Sequence, residues 1–358
     1  MLINSLATPA ILLDLNILER NLDRFQAMAN DNNKQLWSMT KTHKSTQIAR
    51  MQHARGATGF LCGTLDECEA LASSGMNNIS IMYAYPVASE PNIKRVIALA
   101  NNENCKFYLR LDHTDQGRLI NTIARSTKIS KSLNYVVIIN SGLNRFGIAP
   151  DEKSLHNFLT EMSMNKHFRF CGISTHPGHI YKQGESMERV VQDEAISMEN
   201  AYRALSNIGY KPSIVSSGAT PTFTYSVKNH TIHILHPENY VFMDYLQMVL
   251  SKDKEFCIGE ADCALTVLAT IISAPREGEF ILDAGSKIFG EQGVHGDESI
   301  EGKGRVKNYP GLILDDLSEE VGKIKYKPGE SADLKIGSII EIIPRTCFVK
   351  VGERKYNI

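Results

Sequence analysis

The chain has 358 residues, with 39 Lys and Arg against 40 Asp and Glu, which gives a formal net charge of -1. This balance excludes a protein that uses a strongly basic surface to hold nucleic acid or an anionic membrane. With 42% hydrophobic and 22% charged residues, the composition is typical of one large or two ordinary globular domains and excludes a disordered chain. We expect a small-molecule partner or a second copy of the chain.

The start of the chain and its cysteines favour a cytoplasmic protein. The first nine residues lack the basic and apolar regions of a signal peptide, and no apolar stretch in the sequence could span a bilayer. Seven cysteines are scattered without a Cys-x-x-Cys pair, which fits reduced thiols better than a disulfide framework. We expect a cytoplasmic protein without a membrane segment or structural zinc.

A strand-like segment at residues 10–14 and a helical segment at 18–29 open the chain. Short apolar runs then alternate with amphipathic helical stretches. The runs lie at residues 35–40, 59–63, 78–84, 105–112, 135–140, 168–175, 213–217 and 240–245. Eight strands joined by crossovers match a (β/α)8 barrel, or TIM barrel, with a doubly wound sheet as the alternative.

From residue 256 the pattern changes to short strands separated by turns, without long helices. This pattern predicts an all-β C-terminal domain. We therefore expect an N-terminal strand segment (residues 1–20) that packs on the β-domain, a barrel (residues 21–255) and the β-domain itself (residues 256–358).

The predicted barrel strands end in polar residues, and the C-terminal ends of barrel strands are where active sites form. Lys41 follows the first strand in an apolar context that would lower its pKa toward that of a Schiff-base amine, although a solvated surface lysine has the same local sequence. Residues 216–220 follow the seventh strand with hydroxyls and small residues suited to a phosphate, although an ordinary turn has similar composition. We therefore expect a phosphate-bearing ligand.

Two further strand ends carry candidate residues. Arg145 lies in a turn after the fifth strand and could present its guanidinium to an anion or a ring nitrogen, or could be a surface arginine. His176 follows the sixth strand, and with His43 and His179 it could form a metal site. The Pro-Gly pair between His176 and His179 excludes a ligand-presenting helix, so we favour a histidine beside a ring cofactor.

The complete set of motifs resembles the fold-type III pyridoxal-phosphate enzymes, and within them the D-threonine aldolase and D-serine dehydratase branch, which is related to alanine racemase. The motifs are Lys-Thr-His-Lys (41–44), Gly-x-x-Arg-x-Gly (142–147), His-x-Gly-His-x-Tyr (176–181) and the Ser/Gly/Thr loop (216–220). Further matches at 8–14, 64–71, 239–244, 283–287 and 317–320 follow in order along almost the whole chain.

This resemblance implies pyridoxal 5'-phosphate as the cofactor and an alanine racemase-like barrel. It implies that Lys41 forms the Schiff base and acts as a base on one face of the substrate, with Arg145 and His176 beside the ring. It also implies a homodimer, because the family's site lies between one barrel and the partner's β-domain. The other implied cofactor contacts are Tyr181, Ser217, Gly218, Ala219, Thr220, Tyr240 and Asp244.

The chain departs from this branch near its end. Enzymes of the branch carry a His-x-Cys or His-x-Asp pair after a proline, and that pair binds a divalent metal. Here Pro344 is followed by Arg345, Thr346 and Cys347, and one thiol beside an arginine is a poor site for a dication. We expect no metal, a substrate carboxylate on Arg345, and a second acid or base supplied by Cys347, His176 or a tyrosine.

We therefore expect a pyridoxal-phosphate-dependent lyase, similar to an aldolase or a dehydratase, that acts on a D-amino acid or a β-hydroxy amino acid with a degenerate metal site. The alternative is a metal-independent amino-acid racemase or epimerase, which needs a base on each face of the substrate. A third hypothesis is a protein that binds pyridoxal phosphate without turnover.

Overall fold

The structure of the protein is a computed structural model, and it describes residues 5–127, 130–252, 254–290, 300–327, 329–331 and 333–347. The chain divides into two compact units. The barrel unit comprises Asp23–Ile180 and Glu185–Glu238, and the sheet unit comprises Met1–Leu22, Tyr181–Gly184 and Asn239–Ile358. The domain limits predicted at residues 20 and 255 stay predictions.

The strands and helices are numbered in chain order. The strands are β1 (Ala10–Leu13), β2 (Gln35–Met39), β3 (Gly59–Cys62), β4 (Ile79–Tyr83), β5 (Cys105–Leu111), β6 (Leu133–Ile138), β7 (Phe168–Ser174), β8 (Ile214–Ser217), β9 (Ile234–Leu235), β10 (Leu265–Arg276), β11 (Glu279–Leu282), β12 (Gly304–Val306), β13 (Leu312–Leu317), β14 (Gly322–Tyr326) and β15 (Ile339–Pro344). The helices are α1 (Leu15–Asp31), α2 (Thr46–Ala54), α3 (Leu65–Ala72), α4 (Glu90–Asn101), α5 (Thr114–Ala124), α6 (Glu152–Ser163), α7 (Met187–Asn207), α8 (Phe223–Ser226), α9 (Tyr245–Leu250) and α10 (Ser286–Phe289).

In the described part of the barrel unit, eight parallel strands, β2 to β9, close into a barrel in chain order. Closure occurs where β9 pairs in parallel with β2, with Leu36 opposite Leu235. The predicted (β/α)8 fold is confirmed, and the doubly wound alternative is wrong because its sheet would remain open.

Apolar side chains fill the interior of the barrel because each strand is buried on both faces. The interior layer includes Trp37, Met39, Leu61, Met82 and Val136. Helix starts between the strands are fixed by short polar caps. The Ser45 side chain, for example, accepts the Ile48 N–H at the start of α2, which satisfies a donor that the helix itself leaves free.

The eighth barrel strand is not where the sequence pattern placed it. The predicted run at 240–245 contains the end of a 3-10 helix, Asn239–Val241, and the first residue of α9, whereas the strand is β9, only two residues long. Tyr240 and Val241 are fully buried by packing rather than by strand pairing. An apolar run alone does not distinguish these two causes of burial.

The sheet unit contains the predicted all-β fold. Within the described residues it is a seven-stranded antiparallel sheet in the order β1-β10-β11-β14-β13-β12-β15. The long strand β10 also pairs with β15, so the sheet closes on itself. Its core includes Val267, Ile271, Leu282, Leu314 and Ile342, all fully buried. Across the described ranges, no helix is long and apolar enough to cross a membrane.

Candidate active site

A pocket with about 320 Å³ of empty space, part of it open to solvent, lies at the carboxyl ends of the barrel strands. Its polar lining includes Arg110, Arg145, Asn140, Ser141 and His176. Two guanidinium groups and no carboxylate are among the described residues that line it, so its charge favours an anionic ligand.

Lys41 follows β2 at this end of the barrel and is half-buried. Its Nζ lies 3.0 Å from the Glu238 carboxylate. Burial of the ammonium is the largest single influence on its pKa and lowers it. The charge and hydrogen bond of Glu238 together with the Tyr85 hydroxyl outweigh burial, so the pKa of Lys41 is raised above its usual value. The lowering predicted from the apolar strand is therefore wrong, because the local sequence could not reveal a carboxylate from the far end of the barrel unit.

His176 connects the ends of β7 and β8. Its Nδ1 lies 2.8 Å from the carbonyl oxygen of Gly218, so Nδ1 carries the proton and donates it. Burial lowers the pKa of His176 to about 3, and the positive charges of Arg145 and Lys41 act in the same direction. His176 is therefore neutral at physiological pH, which suits it to positioning a ring more than to donating a proton.

Residues 217–220 form a loop that begins at the last residue of β8 and is suited to an anion, and we call it the anion cradle. The N–H groups of Gly218 and Ala219 are buried, and they donate to no acceptor among the described residues. A Cβ atom on Gly218 would lie 2.7 Å from the backbone nitrogen of His236, so this close approach requires glycine. Free N–H donors that point into a small loop are a typical phosphate site.

Polar side chains behind the cradle hold the loop in place. The Ser217 hydroxyl donates to the buried carboxyl of Glu194, to which Ser226 also donates at 2.6 Å. The Thr220 hydroxyl accepts the backbone N–H of Glu238 at 3.2 Å. The free donors, the nearby lysine amine and the neutral His176 together fit pyridoxal phosphate.

Arg145 lies in an exposed turn beside two aromatic rings. Its guanidinium carbon is 6.0 Å from the centre of the Tyr85 ring and 5.4 Å from that of Phe146, which is within the range of cation–π contacts. The Asn140 side chain shapes the turn by accepting the N–H groups of Gly142 and Asn144. Arg145 is therefore an exposed cation on the pocket lining.

In the sheet unit, Cys347 is buried and tightly held. Its Sγ donates to the Met243 carbonyl at 2.9 Å, and its N–H donates to Asp244 at 3.0 Å. Burial, and then the nearby Asp244 carboxylate, raise the pKa of the Cys347 thiol well above its usual value. Arg345 is 7% exposed, and its backbone donates to Lys303 and accepts from Leu246. Residues 344–347, which we call the chain end, therefore contain a protonated thiol and an arginine.

These donors do not fit a divalent metal, because Cys347 is a single thiol and the neighbouring arginine is not a ligand. The part of the chain that the structure describes holds no group of three His, Cys, Asp or Glu side chains able to bind a metal. This finding also removes the His43, His176 and His179 alternative, since His43 accepts the Ser45 N–H and His176 donates to Gly218.

Three other predicted contacts lie in the sheet unit. Asp244 uses its carboxylate to cap α9 through the Gln247 N–H, and it also accepts from Asn239 and Cys347. Tyr240 is fully buried, and Tyr181 ends a 3-10 helix at residues 178–181. Their contacts with a cofactor stay predictions.

Sequence reasoning missed three polar residues of the barrel end. Arg110 is 6% exposed, donates to the Ala84 carbonyl at 3.4 Å, and has its pKa lowered to about 10 by burial. The alternation of Lys106, Tyr108 and Arg110 on one face of β5 is a signal that could have found it. Glu238 and the buried His236 were missed because the eighth strand was misplaced.

A barrel with a lysine at its first strand end and an anion cradle after its seventh strand is the arrangement of fold-type III pyridoxal-phosphate proteins. Residues 13–237 match the family model of the alanine racemase N-terminal domain, and residues 264–349 match a putative serine dehydratase domain. The chain belongs to the alanine racemase N-terminal domain family, which confirms the resemblance seen in the sequence motifs.

Several known proteins are similar to the chain over nearly its whole length. D-serine dehydratase from Dictyostelium discoideum is 27% identical, over 99% of this chain and 94% of that protein. D-threonine aldolase from Arthrobacter sp. is 24% identical, over 94% and 84%. The solved structure of D-threo-3-hydroxyaspartate dehydratase from Delftia sp. HT23 has a TM-score of 0.83 at 25% identity, over 97% and 92%.

Proposed function

We propose that the chain is a pyridoxal-phosphate-dependent lyase that acts on a D-amino acid or a β-hydroxy amino acid without a divalent metal at its chain end. One observation carries this proposal: the Lys41 amine lies at the same barrel end as the free, buried N–H groups of Gly218 and Ala219. The relatives named as D-serine dehydratase and D-threonine aldolase support the substrate class.

The barrel residues divide the work of binding and proton transfer. Pyridoxal phosphate, when bound, draws electrons from the Cα atom of an amino acid and weakens the bonds to that atom. Lys41 Nζ would hold the cofactor, and the same amine would accept a proton on one face of the substrate. His176 positions the ring without adding charge, and Gly218 and Ala219 donate to the phosphate.

Arg345 supplies a fixed positive charge where the family resemblance implies a metal ligand. A guanidinium binds a carboxylate through two parallel hydrogen bonds, so Arg345 holds the substrate carboxylate. Cys347, with its raised pKa, is protonated at neutral pH and is an acid rather than a base.

The second candidate function is a metal-independent racemase or epimerase. The donor set at the chain end favours it, because racemisation requires no cation on a β-hydroxyl. The product distinguishes the two functions. A lyase converts D-serine to a keto acid and ammonia, or D-threonine to an aldehyde and glycine, whereas a racemase exchanges the α-hydrogen with solvent and releases neither.

The first test is covalent cofactor attachment. We expect purified protein mixed with pyridoxal phosphate to gain a visible absorption band, and borohydride to fix the cofactor on the Lys41 peptide. Lys41→Ala should lose both signals, with Lys44→Ala as the matched control that keeps them. A wild-type protein without the band, or with the label on another lysine, would refute the proposal.

We also propose a cytoplasmic homodimer. The seven cysteines are all free thiols, which supports a reducing compartment. The family resemblance supports the dimer. Light scattering of the purified protein should give twice the chain mass, and a single-chain mass would contradict the dimer.

A further inference from the structure

Glu238 occupies an unexpected position for an acidic residue, between the candidate reactive amine and the anion cradle. Its Oε2 is 3.0 Å from Lys41 Nζ, its Oε1 accepts the Thr42 hydroxyl at 3.2 Å, and its backbone N–H donates to Thr220. The Glu238 side chain is 16% exposed and the Lys41 side chain 35% exposed, so this is a partly buried pair. The contacts of Glu238 with Thr42 and Thr220 hold it in place beyond its pairing with Lys41.

The charges around Lys41 come from several strand ends. Glu238 follows β9, Tyr85 follows β4, Arg145 lies in the turn after β6 and His176 follows β7. Of these groups, Glu238 is the carboxylate that touches Nζ. Gly63, after β3, leaves room for the lysine stem, since a Cβ atom there would lie 3.2 Å from Lys41 Cβ. Glu238 is therefore a proton acceptor within hydrogen-bond reach of the Lys41 amine.

Joining an ammonium to an aldehyde moves protons as well as electrons. Two protons leave the nitrogen, the nitrogen lone pair bonds to the carbonyl carbon, and the carbonyl oxygen gains two protons and leaves as water. No oxidant or reductant is needed. A carboxylate that contacts the nitrogen can carry one proton at a time to the departing oxygen.

We propose that Glu238 is the acid–base residue of Lys41, taking a proton from Nζ during cofactor attachment and giving it to the oxygen that leaves as water. This role rests on the proposed function, because it concerns the attachment of pyridoxal phosphate. It assigns Glu238 a task that simple pairing of charges would not perform.

Two rates measured on the Glu238→Gln variant separate these roles. The first is labelling of cofactor-free protein at neutral pH with an amine-acylating reagent, read on the Lys41 peptide by mass spectrometry. Removing the carboxylate frees more amine, so Lys41 should label about tenfold faster. Lys44, paired with Glu67 at 3.3 Å, is the internal control and should label at an unchanged rate.

The second rate is the attachment of pyridoxal phosphate, followed by absorbance at the same pH. Glu238→Gln should attach the cofactor at least about tenfold more slowly although its amine is more available, because it lacks the proton carrier. Glu238→Asp should recover part of the rate. Glu90→Gln, which removes the partner of Lys94 on the surface, is the matched control and should change neither rate.

The two rates are compared only for variants whose circular dichroism and melting temperature match the wild type. Each outcome then decides whether Glu238 is the acid–base residue of Lys41. If attachment and labelling both become faster, Glu238 only pairs with the lysine and the proposed role is wrong. If neither rate changes, the role is also wrong. If wild-type protein attaches no cofactor, the proposed function fails and the role fails with it. Equal attachment by wild type and Glu238→Gln overturns the role alone.

Discussion

The barrel end and the chain end differ in how far they keep the residues that the family resemblance implies. The barrel end has the lysine, the ring histidine and a cradle of free N–H donors, and these fit pyridoxal phosphate. The chain end has Arg345 and a protonated Cys347 where the resemblance implies two metal ligands. Under the proposed function, cofactor binding and substrate activation depend on separate parts of the sequence, so one can change while the other is kept.

The largest effect that would test this separation is expected from Arg345→Met. The variant should keep the cofactor band and lose at least about thirtyfold in kcat/KM, because an unpaired substrate carboxylate costs about 2–5 kcal/mol. Steady-state kinetics with D-serine and D-threonine measure the loss, and Arg345→Lys is the control that retains the charge. Loss of the band together with activity would show that the two regions are not separable.

A methyl group in the cradle should have the next largest effect. Gly218→Ala places a Cβ atom 2.7 Å from the His236 nitrogen, so we expect a loss of about 1–3 kcal/mol in the free energy of unfolding. The variant should also weaken the binding of pyridoxal phosphate more than that of pyridoxal, which has no phosphate. Urea unfolding and fluorescence titration check both.

Gly259→Ala is the matched control for this substitution, because its nearest new contact would be 3.9 Å away. Equal losses in the two glycine variants would contradict a special role for the cradle.

The buried carboxyl behind the cradle should make stability depend on pH. Burial raises the pKa of Glu194 to about 7 from an ordinary value of 4.5. The unfolded chain therefore releases this proton at a lower pH than the folded chain, so the carboxyl costs no stability below pH 4.5 and its full cost is reached above pH 7. Glu194→Gln should gain stability relative to wild type across this window, by up to about 3 kcal/mol.

Denaturant unfolding at several pH values measures this difference. Glu188→Gln, an exposed residue of the same helix, should show a difference that is flat with pH. A flat difference for Glu194→Gln would mean that its carboxyl titrates normally in the folded protein.

The smallest expected effect concerns metal removal. Because the chain end lacks a fitting donor set, prolonged treatment with a chelator should change turnover by less than about twofold. Loss of activity that zinc or manganese restores would show that a cation binds despite Arg345. The chain end would then keep the implied function just as the barrel end does.

The sequence predicted much of the fold because most barrel strands are continuous apolar runs with clear turns. The run at 35–40 overlaps β2, and the run at 168–175 overlaps β7. The two-residue β9 was missed because it is too short to produce a periodic pattern. Lys41 and His176 could be named from their strand ends, since barrel geometry brings strand ends together.

The electrostatics of the site could not be predicted in the same way. The Glu238 carboxylate meets Lys41 only because β9 closes against β2, and Glu194 reaches Ser217 only because α7 packs behind β8. These contacts join residues far apart in the chain, so local composition cannot predict them.

The hydrogen bond from His176 to Gly218 has a mechanical consequence. Under the proposed function it joins the residue that supports a flat ring to the loop that receives an anion, and it links the segments that follow β7 and β8 directly. We therefore expect the barrel end to select ligands by the distance between their ring and their anionic group, because the two binding groups are linked before any ligand arrives. A molecule with both groups at the wrong spacing gains only one of the two contacts.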